Sequence, residues 1–153
     1  MMDRFERFSL AISEINRYWH KIAGEEMEKY GPKGSHCIYL ITMARYPEGV
    51  TASQLCEYCG KDKSDVSRMM GIMERKGLVT KEGIHQNLYR GVFKLTQQGR
   101  QAAEFASRRA DMAVELAGRG IDEDKRKIFY ACLESIVTNI RSIGQEGLPE
   151  TEV

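Results

Sequence analysis

Between Thr51 and Gly77 the sequence carries a start or stop signal wherever a short helix would have to begin or end, and this leaves the stretch little freedom in how it folds. Thr51-Ala52-Ser53-Gln54 has the spacing of a capping box, in which the threonine oxygen and the glutamine each satisfy an orphan amide. The helix it opens runs to Gly60, a residue suited to the left-handed position just past a helix. Asp62 is placed to cap a second helix, and Asp65 lies near its positive N-terminal end. That helix closes at Arg75-Lys76-Gly77, with bases in the last turn and glycine beyond. Inside it Val66, Met69, Met70 and Met73 make one apolar face. Two short helices, 51–60 and 62–76, joined at Gly60-Lys61, have helix-turn-helix dimensions.

The flanks add a hairpin and long helices. Phe5, Phe8, Ile12, Ile15, Trp19 and Ile22 fall at alternating steps of three and four, one stripe on a helix that Gly31-Pro32 stops. A second helix is expected from about Ser35 to Tyr46, before the turn Pro47-Glu48-Gly49. The β-formers of 78–82 and 89–95 predict a hairpin with a longish loop between. Thr96 opens a helix that runs to about Ala117 and breaks at Gly118-Arg119-Gly120. Asp122 caps a last helix whose stripe, Phe129, Leu133, Ile136, Ile140 and Ile143, contains heptad repeats and so packs lengthwise on other helices. The fold class expected is mainly α with a small β-hairpin: a winged helix-turn-helix flanked by long N- and C-terminal helices. One domain is expected over 1–153, with a winged-helix lobe at 35–96 and long helices at 5–30 and 97–144.

Charge separates the middle from the ends. Residues 61–100 hold nine bases and four acids within a chain whose total is +1, so a +5 segment lies between flanks that sum to −4. A basic middle suggests a polyanionic partner. No run of eighteen apolar residues exists, and Met1 to Arg7 mixes both charges, so neither a membrane span nor a signal peptide is expected and the chain is placed in the cytoplasm. No phosphate-binding glycine loop, nucleophile elbow or HExxH motif is present, and nothing supports an enzyme, a cofactor or a metal site.

In a helix-turn-helix the second helix enters the major groove. Here its first turns offer Lys63, Ser64, Asp65, Ser67 and Arg68: arginine can read guanine bidentately, serine several bases, and aspartate can accept from cytosine N4. Thr51 and Ser53 are expected on phosphate through hydroxyls and amides, and Lys61 and Arg75 add charge at the two ends. From Val50 to Gly99 the sequence resembles the MarR family of winged-helix regulators. The resemblance is carried in order by Thr51-Ala52-Ser53-Gln54-Leu55, Asp62-Lys63-Ser64-Asp65-Val66-Ser67-Arg68, Met73-Glu74-Arg75-Lys76-Gly77-Leu78-Val79 and Phe93-Lys94-Leu95-Thr96-Gln97-Gln98-Gly99. Ile121-Asp122-Glu123-Asp124-Lys125 and the helix after it are similar to the family's closing helix. The resemblance implies a homodimer with interleaved first and last helices, double-stranded DNA as partner, a pseudo-palindromic operator, and repression relieved by a small-molecule effector or by oxidation. The family's hairpin tip usually carries an Asp-x-Arg or Asp-Arg-Arg cluster whose arginine enters the minor groove. This chain has Asn87-Leu88-Tyr89 there, and its first base is Arg90. Either Arg90 takes that role in a shifted register, or the wing touches phosphate alone. The altered tip also admits a winged helix used for protein–protein interaction, as an antagonist of another regulator.

Cys56-Glu57-Tyr58-Cys59 has CxxC spacing, but no second pair and no histidine pair accompanies it, and core packing is the reading adopted over redox sensing. The family's peroxide sensors carry their cysteine in the first helix, where residues 5–30 have none, which leaves Cys37 as the other thiol to consider. Trp19, His36 and Tyr39 are the candidates for an effector pocket, although Trp19 also lies on the apolar stripe of the first helix and reads first as packing.

Overall fold

The computed structural model describes residues 3–31, 37–84 and 87–150, with 84 and 87–90 as backbone only. The elements run α1 (Arg4–Met27), a 3-10 turn (Glu28–Tyr30), α2 (Cys37–Ala44), β1 (Val50–Thr51), α3 (Ala52–Cys59), α4 (Lys63–Arg75), β2 (Val79–Ile84), β3 (Asn87–Leu95), α5 (Gln97–Ala117) and α6 (Glu123–Glu146). The structure is mostly helical with a small three-stranded antiparallel sheet, as expected of a winged helix. The chain divides into two compact units, Met1–Met112 and Ala113–Val153, and α5 contributes to both.

In the first unit the caps do what their spacing requires. Gln54 N donates to Thr51 Oγ1 at 3.1 Å and Thr51 N to Gln54 Oε1 at 2.9 Å, a complete box at the start of α3. Gly60 closes that helix in the left-handed region with φ 61°. Asp65 N donates to Asp62 Oδ1 at 2.8 Å to begin α4. A third cap lies at Asp3, where α1 opens with Glu6 as its reciprocal partner. The second helix is shorter than expected and ends at Ala44. Arg45 N and Tyr46 N turn back to Thr42 and Met43 in tighter i to i+3 bonds ahead of Pro47, and the residue before a proline is disfavoured in helix.

The sheet has the order β1-β3-β2. The two strands of the hairpin are longer than their β-rich cores, and the pairing shifts between Glu82 and Ile84, around Gly83. The third strand is only Val50–Thr51, paired with Phe93 and Val92. Around this sheet the core gathers Tyr39, Leu40 and Met43 of α2, Leu55 of α3, Val66, Met69, Met70 and Met73 of α4, and Ala102, Ala103 and Ala106 of α5. The methionines are core residues, as expected, and fill irregular space with flexible side chains.

One joint locks the wing to α5. Thr96 N donates to Leu78 O at 3.0 Å and Thr96 Oγ1 to Gly77 O at 2.6 Å, while Gly99 N donates to Thr96 Oγ1 at 3.0 Å. Threonine thus caps α5 and ties its start to the end of α4 in one residue. Gly99 lies directly over the Leu78 carbonyl, and a Cβ there would collide with that oxygen.

The long helices keep their apolar stripes in the open. On α1, Phe5, Phe8, Ile12, Ile15 and Ile22 are exposed and Trp19 is half-buried. Glu26, near the end of α1, accepts a two-pronged bond from Arg109 of α5, at 2.5 Å from Nε and 2.7 Å from Nη2. In the second unit, Asp122 caps α6 through Lys125 N at 2.9 Å, and Arg126 pairs with Glu115 at 3.2 Å across the turn. Phe129, Ile136, Ile140 and Ile143 of α6 are exposed. Contiguous apolar stripes in water mark surfaces that something else covers.

The glycines of the first unit give an internal comparison. Gly99→Ala drives a methyl into backbone and is expected to lower stability by about 1–3 kcal/mol or more. Gly71→Ala, on the solvent side of α4 where the nearest neighbour is Arg75 Nη1 at 3.4 Å, is expected to raise it by roughly 0.5–1 kcal/mol. Urea unfolding of the two variants and the parent at one protein concentration checks both signs. A Gly99→Ala midpoint equal to the parent's would refute the close approach.

Candidate nucleic-acid interface

The helix α4 is divided along its length. Val66, Met69, Met70 and Met73 are buried to 1% exposure or less, so the opposite face must point outward. That face carries Lys63, Ser64, Ser67, Arg68 and Arg75, all exposed. Ser64, Arg68, Gly71 and Arg75 follow one another at steps of four and three, a single stripe up the helix. Gly71 leaves the stripe without a side chain at its middle, where the helix backbone is open to close approach.

The other expected contacts divide into those that present themselves and those already engaged. Lys61 is half-buried in the link between α3 and α4, its amide donating to Cys56 O at 3.0 Å. Ser53 is exposed in the first turn of α3, where helix amides point outward. Thr51, in contrast, uses both its amide and its hydroxyl in the capping box, so it supports α3 from within. Asp65 is also engaged on both oxygens. Its Oδ2 accepts from the Tyr39 hydroxyl at 2.6 Å and its Oδ1 from Arg68 Nη2 at 2.6 Å. Arg90 lies in β3, and its side chain, like those of Asn87, Leu88 and Tyr89, falls outside the described residues.

Tyr39 is fully buried in the core, Trp19 is half-buried on α1, and His36 lies outside the described residues. An open depression at the start of α1 is lined by residues of α1 itself, among them Arg4, Arg7, Phe8 and Ala11. The phenol of Tyr39 is held protonated, first by burial and then by its bond to the Asp65 carboxylate.

Cys37, Cys56 and Cys59 stand as packing residues, whereas Cys132 on α6 is exposed. Cys56 and Cys59 are half-buried against the core on the inner side of α3, and Cys37 is buried at the start of α2. Burial pushes the Cys37 thiol up, and burial is also the largest influence on Cys59, raising it. Among the described residues no group of three or more metal-ligating side chains comes together, and no helix is long and apolar enough to cross a membrane.

Together these features define a winged helix-turn-helix lobe with a polar, basic outward face on α4 and long helices at both ends. A family model for the MarR family matches residues 30–84. That span holds both short helices and the first strand of the hairpin. No curated protein matches the chain. Among solved structures, the chain is similar to a MarR-family transcriptional regulator from Listeria monocytogenes complexed with a 26mer DNA, at 20% identity and a TM-score of 0.82, covering 99% of this chain and 100% of that one. It is similar to a MarR transcriptional regulator from Methanosarcina mazei Go1 at 22% identity and a TM-score of 0.80, over 90% and 99% of the two chains. It is similar to MarR at 23% identity and a TM-score of 0.77, over 95% and 99%. The MarR-family recognition made on the sequence motifs is borne out by the family-model match, and the winged-helix fold by the structural likeness.

Thiol chemistry separates packing from sensing. With its thiol raised by burial, Cys37 in the folded protein at neutral pH is expected to react with a disulfide reagent far more slowly than free cysteine, and at the ordinary rate once unfolded. Mass mapping of the labelled positions over time reads this out. Fast labelling of Cys37 in the native state would restore it as a sensor.

Proposed function

We propose that this chain is a transcription regulator that binds double-stranded DNA as a homodimer, with α4 of each copy in the major groove of one half of a pseudo-palindromic operator. The observation that carries the reading is the divided α4: a buried Val66/Met69/Met70/Met73 face forces Ser64, Ser67 and Arg68 outward at the N-terminal end of a capped helix, within the basic part of the chain. Arg68 is the base reader, with Ser64 and Ser67 beside it. Lys61, Lys63, Arg75 and Ser53 contact phosphate. Thr51 and Asp65 act from behind, holding α3 and Arg68 in place. Arg90 supplies the wing's charge. The exposed stripes of α1 and α6 are the dimer surfaces, in keeping with boundaries near 5–30 and 97–144 for the dimerisation helices and 35–96 for the DNA-binding lobe. The regulator is a non-enzymatic cytoplasmic protein and acts as a repressor, released by a small molecule bound where the dimer arm meets the lobe, beside Trp19 and His36. Tyr39, the third residue expected at that site, is buried in the core. Likeness in fold to the Listeria regulator, whose structure contains DNA, supports the nucleic-acid partner.

Selection of bound sequences from a random duplex library tests the reading. The expected product is an inverted repeat with half-sites about one helical turn apart. Arg68→Ala is expected to lose ~1–3 kcal/mol on the selected duplex and to relax preference at one position of each half-site. Lys63→Ala is expected to weaken selected and random duplexes alike and to make the salt dependence of binding shallower by about one unit of slope for each phosphate no longer neutralised. Enrichment of no sequence, with no affinity for random duplex at low salt, would replace this reading with a protein-interaction module.

A further inference from the structure

The two oxygens of Asp65 join a buried group to an exposed one. On one side stands Tyr39, fully buried on α2 and 26 residues away in sequence, donating its hydroxyl to Oδ2 at 2.6 Å. On the other stands Arg68, whose side chain is 66% exposed and whose Nη2 donates to Oδ1 at 2.6 Å. Asp65 itself, at 21% side-chain exposure, sits between core and solvent. It also holds the N3 place of its helix. From the same place Gln54 in α3 and Glu6 in α1 reach back to their caps, whereas the carboxylate of Asp65 is turned to Tyr39 and Arg68.

A surface carboxylate–arginine pair three residues apart on a helix is weak and mobile by itself, because two flexible side chains must be ordered to make it. Here one partner is fixed beforehand by a rigid ring in the core. We propose that Tyr39 is a positioning residue for base recognition: its hydroxyl fixes the Asp65 carboxylate and, through it, holds the Arg68 guanidinium in one orientation before DNA is met. This rests on the assignment of Arg68 as the base reader. An arginine ordered in advance loses less conformational freedom on binding, and a side chain held within narrow limits discriminates better between bases. The acidic partner serves a second end. A carboxylate beside the reading arginine repels phosphate, so the gain appears at a matched base and is absent on random duplex.

Tyr39→Phe keeps the ring in the core and removes only the donor. The test measures the wild type, Tyr39→Phe, Arg68→Ala and the double variant on the selected duplex and on random duplex of equal length, with unfolding midpoints alongside. Tyr39→Phe is expected to weaken the selected duplex by about threefold to tenfold and to leave random duplex within about twofold. Base preference at the position read by Arg68 broadens, and Tyr39→Phe adds nothing once Arg68 is alanine. Equal weakening on both duplexes, or the same loss with and without Arg68, would overturn the proposal and leave Tyr39 as packing. If Tyr39→Phe does not fold, Asp65→Asn carries the test, with the same loss and the same dependence on Arg68 expected. Persistence of its full loss in the Arg68→Ala background would refute the relay. A wild type that prefers no duplex sequence would sink the DNA reading and this inference with it, whereas a selective wild type with an equally selective Tyr39→Phe would sink the inference alone.

Discussion

Four side chains on one face of α4 determine where everything chemical in the lobe can stand. Burying Val66, Met69, Met70 and Met73 is worth roughly 1.5–3 kcal/mol each, an upper range given that unfolded chains are already partly collapsed. A rotation of α4 large enough to hide Ser64 or Arg68 would return these residues to water. A rise along its axis is opposed at both ends, by the Asp62 cap at the start and by Gly77 and Leu78 at the finish. Gly77 O accepts from the Thr96 hydroxyl, and Leu78 O accepts from Thr96 N with no room for a side chain at Gly99. The polar stripe is therefore oriented by apolar packing, and its direction follows from the placement of methionines.

Much of this is legible in the sequence because it is local. A capping box, an aspartate before a helix and a glycine after it are decided by groups within four residues of one another, and Thr51, Gln54, Gly60 and Asp62 all do what their spacing implies. The 3.6-residue period likewise names the buried face of α4 and the stripe of α1. What escapes is non-local. The strand Val50–Thr51 is too short to alternate, and it exists because Phe93 and Val92 arrive beside it from far along the chain. The bond from Tyr39 to Asp65 is equally silent: Tyr39 reads as a candidate for an effector pocket, and Asp65 as one more polar group at the start of α4. Sequence reasoning therefore assigns Asp65 to bases and Tyr39 to an effector, whereas the structure joins them to each other. The cap at Asp3 is a local signal that the apolar stripe of α1 overshadows, since Asp3 and Glu6 have the spacing of Thr51 and Gln54.

The long helices follow a different logic. In α1 and α6 the apolar residues keep helical spacing, but their side chains stand exposed, so the periodicity that correctly marks them as helices does not by itself say what they pack on. Helices of 24 residues with an uncovered stripe gain little from tertiary burial, and most helical stability comes from such burial. In the proposed dimer this deficit becomes the driving force for association. Folding of the arms and pairing of the two recognition helices would then be one event, with stability that depends on protein concentration.

That coupling bears on how such a lobe would be switched. The Arg68 guanidinium donates to the Asp65 carboxylate, and that carboxylate accepts from the Tyr39 phenol on α2. Displacing α2 by even an ångström would break a 2.6 Å bond, because hydrogen bonds weaken steeply with distance and angle while the packed core around Tyr39 leaves the ring no slack to follow. In the proposed dimer, the spacing of the two α4 helices and the orientation of each Arg68 would thus be separate variables, the first held by the arms and the second by α2. Under that proposal, a ligand would need to perturb only one of them to release DNA. The second demands far less motion, since it moves a side chain where the first must move a subunit.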